Sequence, residues 1–370
     1  MGAVETKRIV VAMSGGVDSS VAAALLVKQG FDVVGITIKT SSFEHVGGND
    51  GNEKSCCSLD GINDARKVAA QFGFPHYVLD FTARFSEEVI QPFIEEYLAG
   101  RTPNPCVLCN RTIKWEELLK KADALGASRV ATGHYARVHH STDRNRYWIG
   151  RGNDPLKDQS YALWGLTQDS LARTLFPLEG LSKSDVRVLA EEFGLDAAKK
   201  GESFEICFIP DNNYERFLKD QVPGLGEKVA GGDIVMDGKR VGTHRGYPFY
   251  TIGQRRGVGM ATGEPLYVTS IDPRNNRIGV APEGALYSNG LTVRNVNWMK
   301  YESPENGLQV DVRIRYKDRG GAGRLERMDG GKAKVDFAEP RRAVTPGQSA
   351  VFYEGDDVVG GGIITSEKDQ

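Results

Sequence analysis

Short apolar runs alternate with amphipathic segments through the first half of the chain. The apolar runs predict buried strands, at residues 8–13, Asp32–Lys39, 76–81, 129–138 and 161–163. The amphipathic segments predict helices, at Val17–Lys28, 63–72, 85–98, 115–125 and 184–193. The last of these helices has Ser182 or Ser184 as its predicted N-cap. This alternation indicates a parallel sheet covered by helices on both faces.

The pattern changes after about residue 212, where glycines become frequent and long helical periodicity ends. Asp237-Gly238, between Ile234-Val235 and Val241, predicts a two-residue hairpin turn. Apolar and polar residues alternate strictly over 308–316, and short strands are predicted at 332–337, 349–353 and 358–364. Such a series of short strands is typical of a small barrel. We therefore expect three domains, at residues 1–211, 212–285 and 286–370.

Composition limits the classes of protein that fit. The chain has 370 residues, with 40% hydrophobic and 26% charged residues and a formal net charge of -2, as in ordinary soluble proteins. It has no apolar run long enough to cross a bilayer, and its N-terminus lacks the features of a signal peptide. The sequence therefore predicts a cytoplasmic protein with no membrane partner.

The most informative segment joins the first strand to the first helix and reads AMSGGVDSS. Its glycines let the backbone turn tightly, and the free N–H groups of the helix start point at an anion. Asp18 has the wrong charge for phosphate and is predicted to bind Mg²⁺. The segment lacks the Gly-Lys-Ser/Thr ending of a Walker A loop and the spacing of a dinucleotide loop. A glycine turn with helix-capping side chains is the simpler interpretation, but the strand–loop–helix context favours nucleotide binding. The predicted nucleotide contacts are Ala12, Met13, Ser14, Gly15, Gly16, Val17, Asp18 and Ser19.

The segment SGGVDSS resembles the PP-loop ATP pyrophosphatases, which adenylate a carbonyl or carboxylate oxygen. With GRTPNPCVLCNRTIKW, ATGHYAR, DQSYAL, ESFEICFIP and TIGQRRG, the whole chain resembles the tRNA-specific 2-thiouridylase family. The resemblance implies an α/β fold, a doubly wound parallel sheet of the PP-loop (adenine nucleotide alpha hydrolase-like) type. A small central β-rich domain and a C-terminal β-barrel would follow.

The same resemblance implies the chemistry. The enzyme would use ATP and Mg²⁺ to adenylate O2 of the wobble uridine, position 34, and would replace this oxygen with sulfur. The products would be 2-thiouridine, AMP and pyrophosphate. The implied partners are the anticodon stem-loops of tRNAs for Lys, Glu and Gln, and a sulfur donor protein or cysteine desulfurase.

The five cysteines are Cys56, Cys57, Cys106, Cys109 and Cys207, a set that suggests catalysis or a metal in a cytoplasmic protein. Cys109 precedes a helix predicted to start at Ile113, and a thiol near a helix N-terminus has a lowered pKa. The resemblance assigns catalysis to Cys109 and Cys207, with Cys207 carrying a persulfide and Cys109 resolving it through a disulfide. Cys56 and Cys57, adjacent in a polar loop, are predicted to be structural.

Cys106 departs from the family pattern, in which an aspartate proposed for acid–base work is common at this position. A thiol cannot act as that carboxylate. Cys106, Cys109 and Cys207 could instead hold a [4Fe–4S] cluster with one iron open to sulfide. Zinc would lack a fourth ligand, and a spare buried thiol is the simplest alternative. The residues leave the cluster and the persulfide both open.

Further contacts are predicted around these motifs. Ile38 and Gly133, at strand ends, are expected to contact the adenosine. A lone histidine such as His134 is more often structural, but the resemblance places it against tRNA. The resemblance assigns the target uridine to Asn104, Pro105 and Cys106, and further tRNA contacts to Lys157, Asp158, Gln159, Arg315, Tyr316 and Gln348. Residues 238–277 and 313–342 each carry an excess of five positive charges, which suits a phosphate backbone.

Two other functions fit part of this pattern. An amide-forming synthetase acting on a small metabolite would use the same loop but would need neither the cysteines nor the basic segments. A nucleic-acid-binding protein with a vestigial nucleotide site would keep the basic segments, but the intact loop argues against it.

Overall fold

The computed structural model describes residues 7–40, 59–196, 206–259 and 264–366. Its N-terminal part alternates strands and helices, as the sequence predicts. The strands are β1 Arg8–Ala12, β2 Asp32–Lys39, β3 His76–Asp80, β4 Arg129–Ala131, β5 Ala136–Ser141, β6 Arg146–Arg151 and β7 Thr174–Leu175. The α-helices are α1 Val17–Lys28, α2 Leu59–Phe72, α3 Thr82–Phe85, α4 Gln91–Leu98, α5 Pro105–Leu108, α6 Leu118–Ala124, α7 Gln168–Ala172 and α8 Lys183–Glu192.

Five of these strands form a parallel sheet in the order β3-β2-β1-β4-β7. Both faces are buried: Ile9 and Val11 pack into the cluster that contains Val21 of α1, whereas Val10 packs into the cluster of Trp115 on the other side. A strand buried on both faces reads as a continuous apolar run, which is why β1 and β2 could be located from sequence. The predicted doubly wound sheet is confirmed.

The prediction of one strand over 129–138 is wrong. β4 ends at Ala131, and β5 belongs to a hairpin with β6 that joins the C-terminal sheet through β17 (Asp357–Ile364). The chain leaves the parallel sheet at Gly133, which packs on the start of α1. A Cβ at Gly133 would lie 2.7 Å from the backbone of Asp18 and Ser19. The predicted strand at 161–163 is also wrong, since Ser160–Leu163 forms a 3₁₀ turn.

The central part is a four-stranded sheet preceded by two helices. Its strands are β8 Gly232–Met236, β9 Lys239–His244, β10 Tyr267–Asp272 and β11 Arg277–Ala281, in the order β10-β11-β8-β9. Asp237 and Gly238 both have positive φ, 49° and 75°, so the predicted hairpin turn between β8 and β9 is confirmed. The short helices α9 Tyr214–Gln221 and α10 Leu225–Val229 were not predicted from the sequence.

The C-terminal part is a closed six-stranded barrel. The strands are β12 Tyr287–Trp298, β13 Leu308–Arg313, β14 Ala322–Met328, β15 Lys332–Arg342, β16 Ser349–Glu354 and β17. They follow the order β12-β15-β14-β13-β16-β17, and pairing of β12 with β17 closes the barrel. Inward residues such as Val310, Val335 and Phe352 fill its interior, which confirms the predicted barrel.

The three parts share hydrophobic cores. One cluster joins Phe93 of α4 to Phe249 and Val268 of the central part. Another joins Trp115 to Tyr353 of the barrel. Because these cores cross the boundaries predicted at residues 211 and 285, the exact boundaries stay predictions. Within the described ranges, no helix is long and apolar enough to span a membrane.

Candidate active site

The loop between β1 and α1 has the geometry of a phosphate cradle. Gly15 has φ +76°, and a Cβ there would collide with the backbone of Gly61 at the start of α2. The Ser14 amide donates to Ser19 Oγ at 3.2 Å, and that hydroxyl donates to the Gly16 carbonyl at 3.1 Å. These bonds fix the turn that leads into α1, a helix whose first N–H groups can receive an anion.

Asp18, the predicted Mg²⁺ ligand, lies in the first turn of α1 and has two protein partners. Lys183 Nζ lies 2.7 and 2.8 Å from its carboxylate oxygens, and the Tyr135 hydroxyl donates to Oδ1 at 2.7 Å. Sequence reasoning missed Lys183. Its local signal, a lysine directly after the Ser182 N-cap, is shared by many helices, and only the fold brings it to Asp18.

The two predicted adenosine contacts border this loop. Ile38 is the penultimate residue of β2 and packs against two hydrophobic clusters of the core. Gly133 packs on the backbone of Asp18 and Ser19. A glycine at position 133 is therefore required by the packing of the loop itself.

The helix that carries two of the cysteines begins eight residues before the predicted start at Ile113. Asn104 is its N-cap and accepts a hydrogen bond from the Cys106 amide at 3.1 Å, with Pro105 as the first helical residue. Proline fits there because its missing N–H has no helical partner at that position. From Cys109 to Glu117 the helix widens into a π-helix, a form found frequently at functional sites.

The helix therefore starts at Pro105, next to Cys106 and not next to Cys109, so the reason given for a lowered pKa at Cys109 does not hold. Burial raises the pKa of the Cys106 thiol, and the charge of Lys114 opposes this in part. Cys106 is nevertheless exposed to solvent. A group that is solvent-accessible and also desolvated by surrounding protein lies in an open cleft, where a substrate could reach it.

Cys109 and Cys207 are 98 residues apart in sequence, yet both pack against the same hydrophobic cluster, which includes Phe208 and Phe217. Both are partly buried, and Cys106, Cys109 and Cys207 are all present as thiols. Among the residues that the structure describes, no three His, Cys, Asp or Glu side chains are placed to hold one metal ion. Cys56 and Cys57 lie outside the described residues.

His134 is buried. Thr132 Oγ1 lies 2.7 Å from its Nδ1, and its ring packs between Trp115 and Phe176 at centroid distances of 5.6 and 6.2 Å. Burial, with a contribution from Lys114, holds the pKa of His134 well below its ordinary value. The imidazole is therefore neutral near pH 7, and its observed contacts are structural.

Two members of the triplet Lys157-Asp158-Gln159 face the protein. Asp158 is buried, accepts from the Ser160 amide at 3.0 Å and pairs with Arg313 of the barrel at 3.2 Å. Gln159 Oε1 accepts from the Tyr135 amide at 3.0 Å. Lys157 is half-buried.

The barrel side of the cleft holds the remaining predicted contacts. Gln348 Nε2 donates to the carbonyls of Thr102 and Pro103 at 2.9 and 3.3 Å, so it supports the segment that leads to Asn104. Arg315 and Tyr316 are exposed in the loop after β13. Burial by the surrounding protein raises the pKa of Tyr316, and the charges of Asp158 and Cys106 add to this effect.

Many arginines of the two basic segments form ion pairs with carboxylates of the protein itself. Arg240 and Arg277 both contact Asp233, at 2.6 and 3.6 Å. Arg341 contacts Asp318 at 2.6 Å. The exposed cations of these segments include Arg255, Arg256, Arg315, Lys317 and Arg319.

Three family models match the chain in succession. They are described as the tRNA methyl transferase HUP domain over residues 7–211, the tRNA methyl transferase PRC-barrel domain over 215–282, and the aminomethyltransferase beta-barrel domain over 288–364. This order agrees with the parallel sheet, central β-rich part and C-terminal barrel of the structure.

Curated relatives are similar along nearly the whole chain. The tRNA-specific 2-thiouridylase MnmA of Salinibacter ruber is 55% identical over 359 residues, covering 96% of this chain and 94% of the relative. The protein of the same name from Pelotomaculum thermopropionicum is 49% identical over 365 residues, covering 99% of both. A solved 4-thiouridine synthetase–RNA complex with bound ATP is 19% identical with a TM-score of 0.38, covering 59% of this chain and 50% of that one. A similarity this weak supports no further conclusion.

Proposed function

The chain belongs to the family of tRNA-specific 2-thiouridylases, and from this premise we propose that it converts the wobble uridine of tRNA to 2-thiouridine. The reaction uses ATP to activate O2 of the base at position 34 and then replaces that oxygen with sulfur. The observation that carries this proposal is that Cys109 and Cys207 pack against one hydrophobic cluster in a chain that also has a phosphate loop. Neither feature alone would specify sulfur transfer.

ATP binding is supported by the loop geometry. The first amides of α1 follow a turn that requires glycine at position 15, and they would hold the phosphates of ATP. Asp18 is the carboxylate available to Mg²⁺ once its present partners release it, and Mg²⁺ would neutralise charge on the phosphates. The O2 of the uridine attacks the α-phosphate, and pyrophosphate leaves.

Sulfur transfer then requires two thiols. The terminal sulfur of a Cys207 persulfide attacks C2 of the adenylated uridine, and AMP leaves with the former O2. The Cys109 thiolate next attacks the Cys207 sulfur, which breaks the sulfur–sulfur bond to the base. The products are 2-thiouridine and a Cys109–Cys207 disulfide, which a thiol reductant would reduce before the next cycle.

The alternative is a [4Fe–4S] cluster on Cys106, Cys109 and Cys207, which would use all three thiolates. The described residues hold no site for a single metal ion, but a cluster spaces its thiolates more widely than one ion does. We derive no step through a cluster, and the comparison of iron-free with iron-reconstituted protein decides between the two schemes.

The substrate surface follows from the position of the cleft. The target uridine would enter beside Asn104, Pro105 and Cys106, with Tyr316 placed to stack on a base. Arg315 and its exposed neighbours would bind the phosphates of the anticodon stem-loop. We extend the proposal to tRNAs for Lys, Glu and Gln, to a sulfur donor protein or cysteine desulfurase, and to the cytoplasm, where these tRNAs are used.

Nucleoside mass spectrometry of unmodified tRNA tests the proposal. The full chain would react anaerobically with ATP, Mg²⁺ and a sulfur donor, as iron-free and iron-reconstituted protein side by side. We expect equal formation of 2-thiouridine in both. Formation only with iron would replace the persulfide scheme with the cluster, and no thiolated nucleoside in either, with donor and tRNA verified, would overturn the function.

A further inference from the structure

The loop after β13 is held by a carboxylate of its own. Asp318 Oδ2 accepts a hydrogen bond from the Ile314 amide at 3.0 Å, and the Asp318 amide donates to the Arg315 carbonyl at 3.0 Å. The guanidinium of Arg341, from β15, donates to Asp318 Oδ1 at 2.6 Å. The Asp318 side chain is 7% exposed, although the residues on either side of it are exposed to solvent. These contacts close residues 314–318 into a turn on the surface of the barrel.

The start of the same loop is held by the first domain. Arg313, the last residue of β13, pairs with Asp158 at 3.2 Å, and the Asp158 side chain is only 2% exposed. The ring of Tyr316 packs edge-on against the buried ring of Tyr161, with centroids 6.2 Å apart. The loop is therefore fixed at both ends and in its middle. A loop held in this way has little freedom to lose when it binds a ligand.

Charge alone argues against an acidic residue in this loop. Residues 313–342 carry an excess of five positive charges, and the side chains of Arg315, Lys317 and Arg319 around Asp318 are exposed. A carboxylate among these cations lowers the local positive potential and so weakens the attraction of RNA phosphates. The contacts of Asp318 indicate the gain that offsets this loss, which is a defined shape for the loop.

We propose that Asp318 is a positioning residue for tRNA binding, which holds the exposed side chains of Arg315 and Tyr316 in the orientation that meets the anticodon stem-loop. This inference rests on the proposed function, since it takes the RNA to bind at these two side chains. The carboxylate need not touch RNA, because it is turned inward onto Ile314 and Arg341. Without it, the loop would be ordered only as the RNA binds, which lowers the affinity.

Equilibrium binding of unmodified tRNA to the full chain tests this role, because positioning and charge predict opposite signs. Asp318→Asn removes one negative charge, so electrostatics alone predicts tighter binding. We expect instead a Kd about 10-fold higher, as for loss of one stacked base. The control is Asp329→Asn, in the exposed turn between β14 and β15, which removes the same charge from the same segment. Its Kd should be lower than that of wild type or within about twofold of it.

Two arginine variants repeat the comparison with the opposite change of charge. Arg341→Gln and Arg342→Gln each remove one positive charge from β15. Arg341 contacts Asp318, whereas Arg342 contacts Glu283 at 2.9 Å. Loss of phosphate attraction is therefore similar in both, and only the first variant releases the carboxylate that holds the loop. Arg341→Gln should raise the Kd for tRNA about fivefold more than Arg342→Gln does.

A double-mutant comparison shows whether Asp318 acts through the side chains that it positions. The background is Arg315→Ala/Tyr316→Ala, in which neither side chain remains to be positioned. Adding Asp318→Asn to this background should change the Kd for tRNA by less than about twofold, because residues that act as one unit are not additive.

Limited digestion with trypsin measures the order of the loop without RNA. Trypsin cleaves after lysine and arginine, and the loop offers Arg315, Lys317 and Arg319 as exposed sites. Asp318→Asn should be cleaved within the loop about fivefold faster than wild type, since a loosened segment opens more often. Asp329→Asn should be cleaved there at the wild-type rate. Mass spectrometry of the fragments locates each cut.

Several outcomes would contradict this role. Unchanged or tighter tRNA binding by Asp318→Asn overturns the inference, and so does a full 10-fold loss in the Arg315→Ala/Tyr316→Ala background. Weaker binding with unchanged cleavage would mean that the carboxylate contacts RNA directly, which also contradicts positioning. If Asp318→Asn does not fold, the arginine pair decides, and equal Kd values for its two members refute the inference. If the wild type itself binds no tRNA, the proposed function fails along with this inference.

Discussion

At the residue scale, substitution of the cysteines tests whether activation and sulfur transfer are separate steps, as proposed. Replacing Cys109 or Cys207 with alanine should reduce 2-thiouridine formation by more than about 100-fold, because each removes one partner of the exchange. Adenylation uses neither thiol, so tRNA-dependent pyrophosphate release should persist in both variants. Parallel assays of thiolated nucleoside and of pyrophosphate check this. Equal loss of both activities would mean that the cysteines act in folding or in ATP binding.

His134 makes stability depend on pH in a defined direction. Burial lowers its pKa in the folded protein, so the unfolded chain takes up a proton near pH 6.5, about the ordinary value, while the folded chain does not. The free energy of unfolding should therefore fall as the pH drops below about 6.5, by up to about 1.4 kcal/mol per pH unit for this one group. Above that pH the histidine contributes no pH dependence.

Urea unfolding from pH 5 to pH 7.5 measures this slope. His134→Gln removes the titrating group and should flatten the curve on its acid side, although His76 and His244, whose pKa values are also lowered by burial, keep part of the slope. Gln309→Ala, at an exposed position on β13, removes no titrating group and is the control, so its curve should stay parallel to wild type. A slope unchanged by His134→Gln would refute the assignment.

At the element scale, the bounds of helices and strands were predicted most accurately where the buried residues follow one simple period. The bounds of α1 and β2 match the structure, since both are continuous segments buried in the parallel sheet domain. The helix start was predicted at Ile113 and lies at Pro105, since proline is well accommodated at the first helical position. The π-helix that follows breaks the 3.6-residue period on which helix prediction depends.

The turn between β1 and α1 offers a matched pair of glycine variants. Gly15 and Gly30 both have positive φ, 76° and 81°, but only Gly15 lacks room for a Cβ, because the backbone of Gly61 lies there. Gly30→Ala should cost about 1–2 kcal/mol for the left-handed conformation alone. Gly15→Ala should cost roughly 3 kcal/mol, since overpacking adds to that strain.

Chemical denaturation of both variants measures these costs, and ATP titration gives a second readout. Gly15→Ala should weaken ATP binding because the loop must shift, whereas Gly30→Ala, which follows the far end of α1, should not. Equal destabilisation by the two substitutions would show that the contact with Gly61 does not restrict the loop.

At the scale of the whole molecule, the order of the three parts could be predicted and their connections could not. The β5–β6 hairpin leaves the first domain and pairs with β17 of the barrel, at Gly150 and Asp357. The Lys183–Asp18 pair and the shared packing of Cys109 and Cys207 are equally long-range. Local periodicity carries no information on which distant segments meet, so family resemblance alone placed both cysteines in one site.

Gln348 shows how the barrel reaches the active cleft. The resemblance assigns Gln348 to tRNA binding, but in the structure its side-chain amide donates hydrogen bonds to the carbonyls of Thr102 and Pro103. Thr102 also donates to the Pro346 carbonyl at 2.9 Å, so the barrel holds this segment at two points. The segment leads directly to Asn104 and Cys106, which suggests that Gln348 positions the cleft.

The two roles predict different kinetics for Gln348→Ala. If Gln348 supports the segment, single-turnover adenylation should slow by about 10-fold, as for loss of positioning, while the Kd for tRNA stays near wild type. If it contacts tRNA directly, Kd should rise and the rate at saturating tRNA should be unchanged. Gln309→Ala, at an exposed position on β13, is the control for both measurements. We expect the first pattern, because the side-chain NH2 group of Gln348 already donates hydrogen bonds to two protein carbonyls in the absence of RNA.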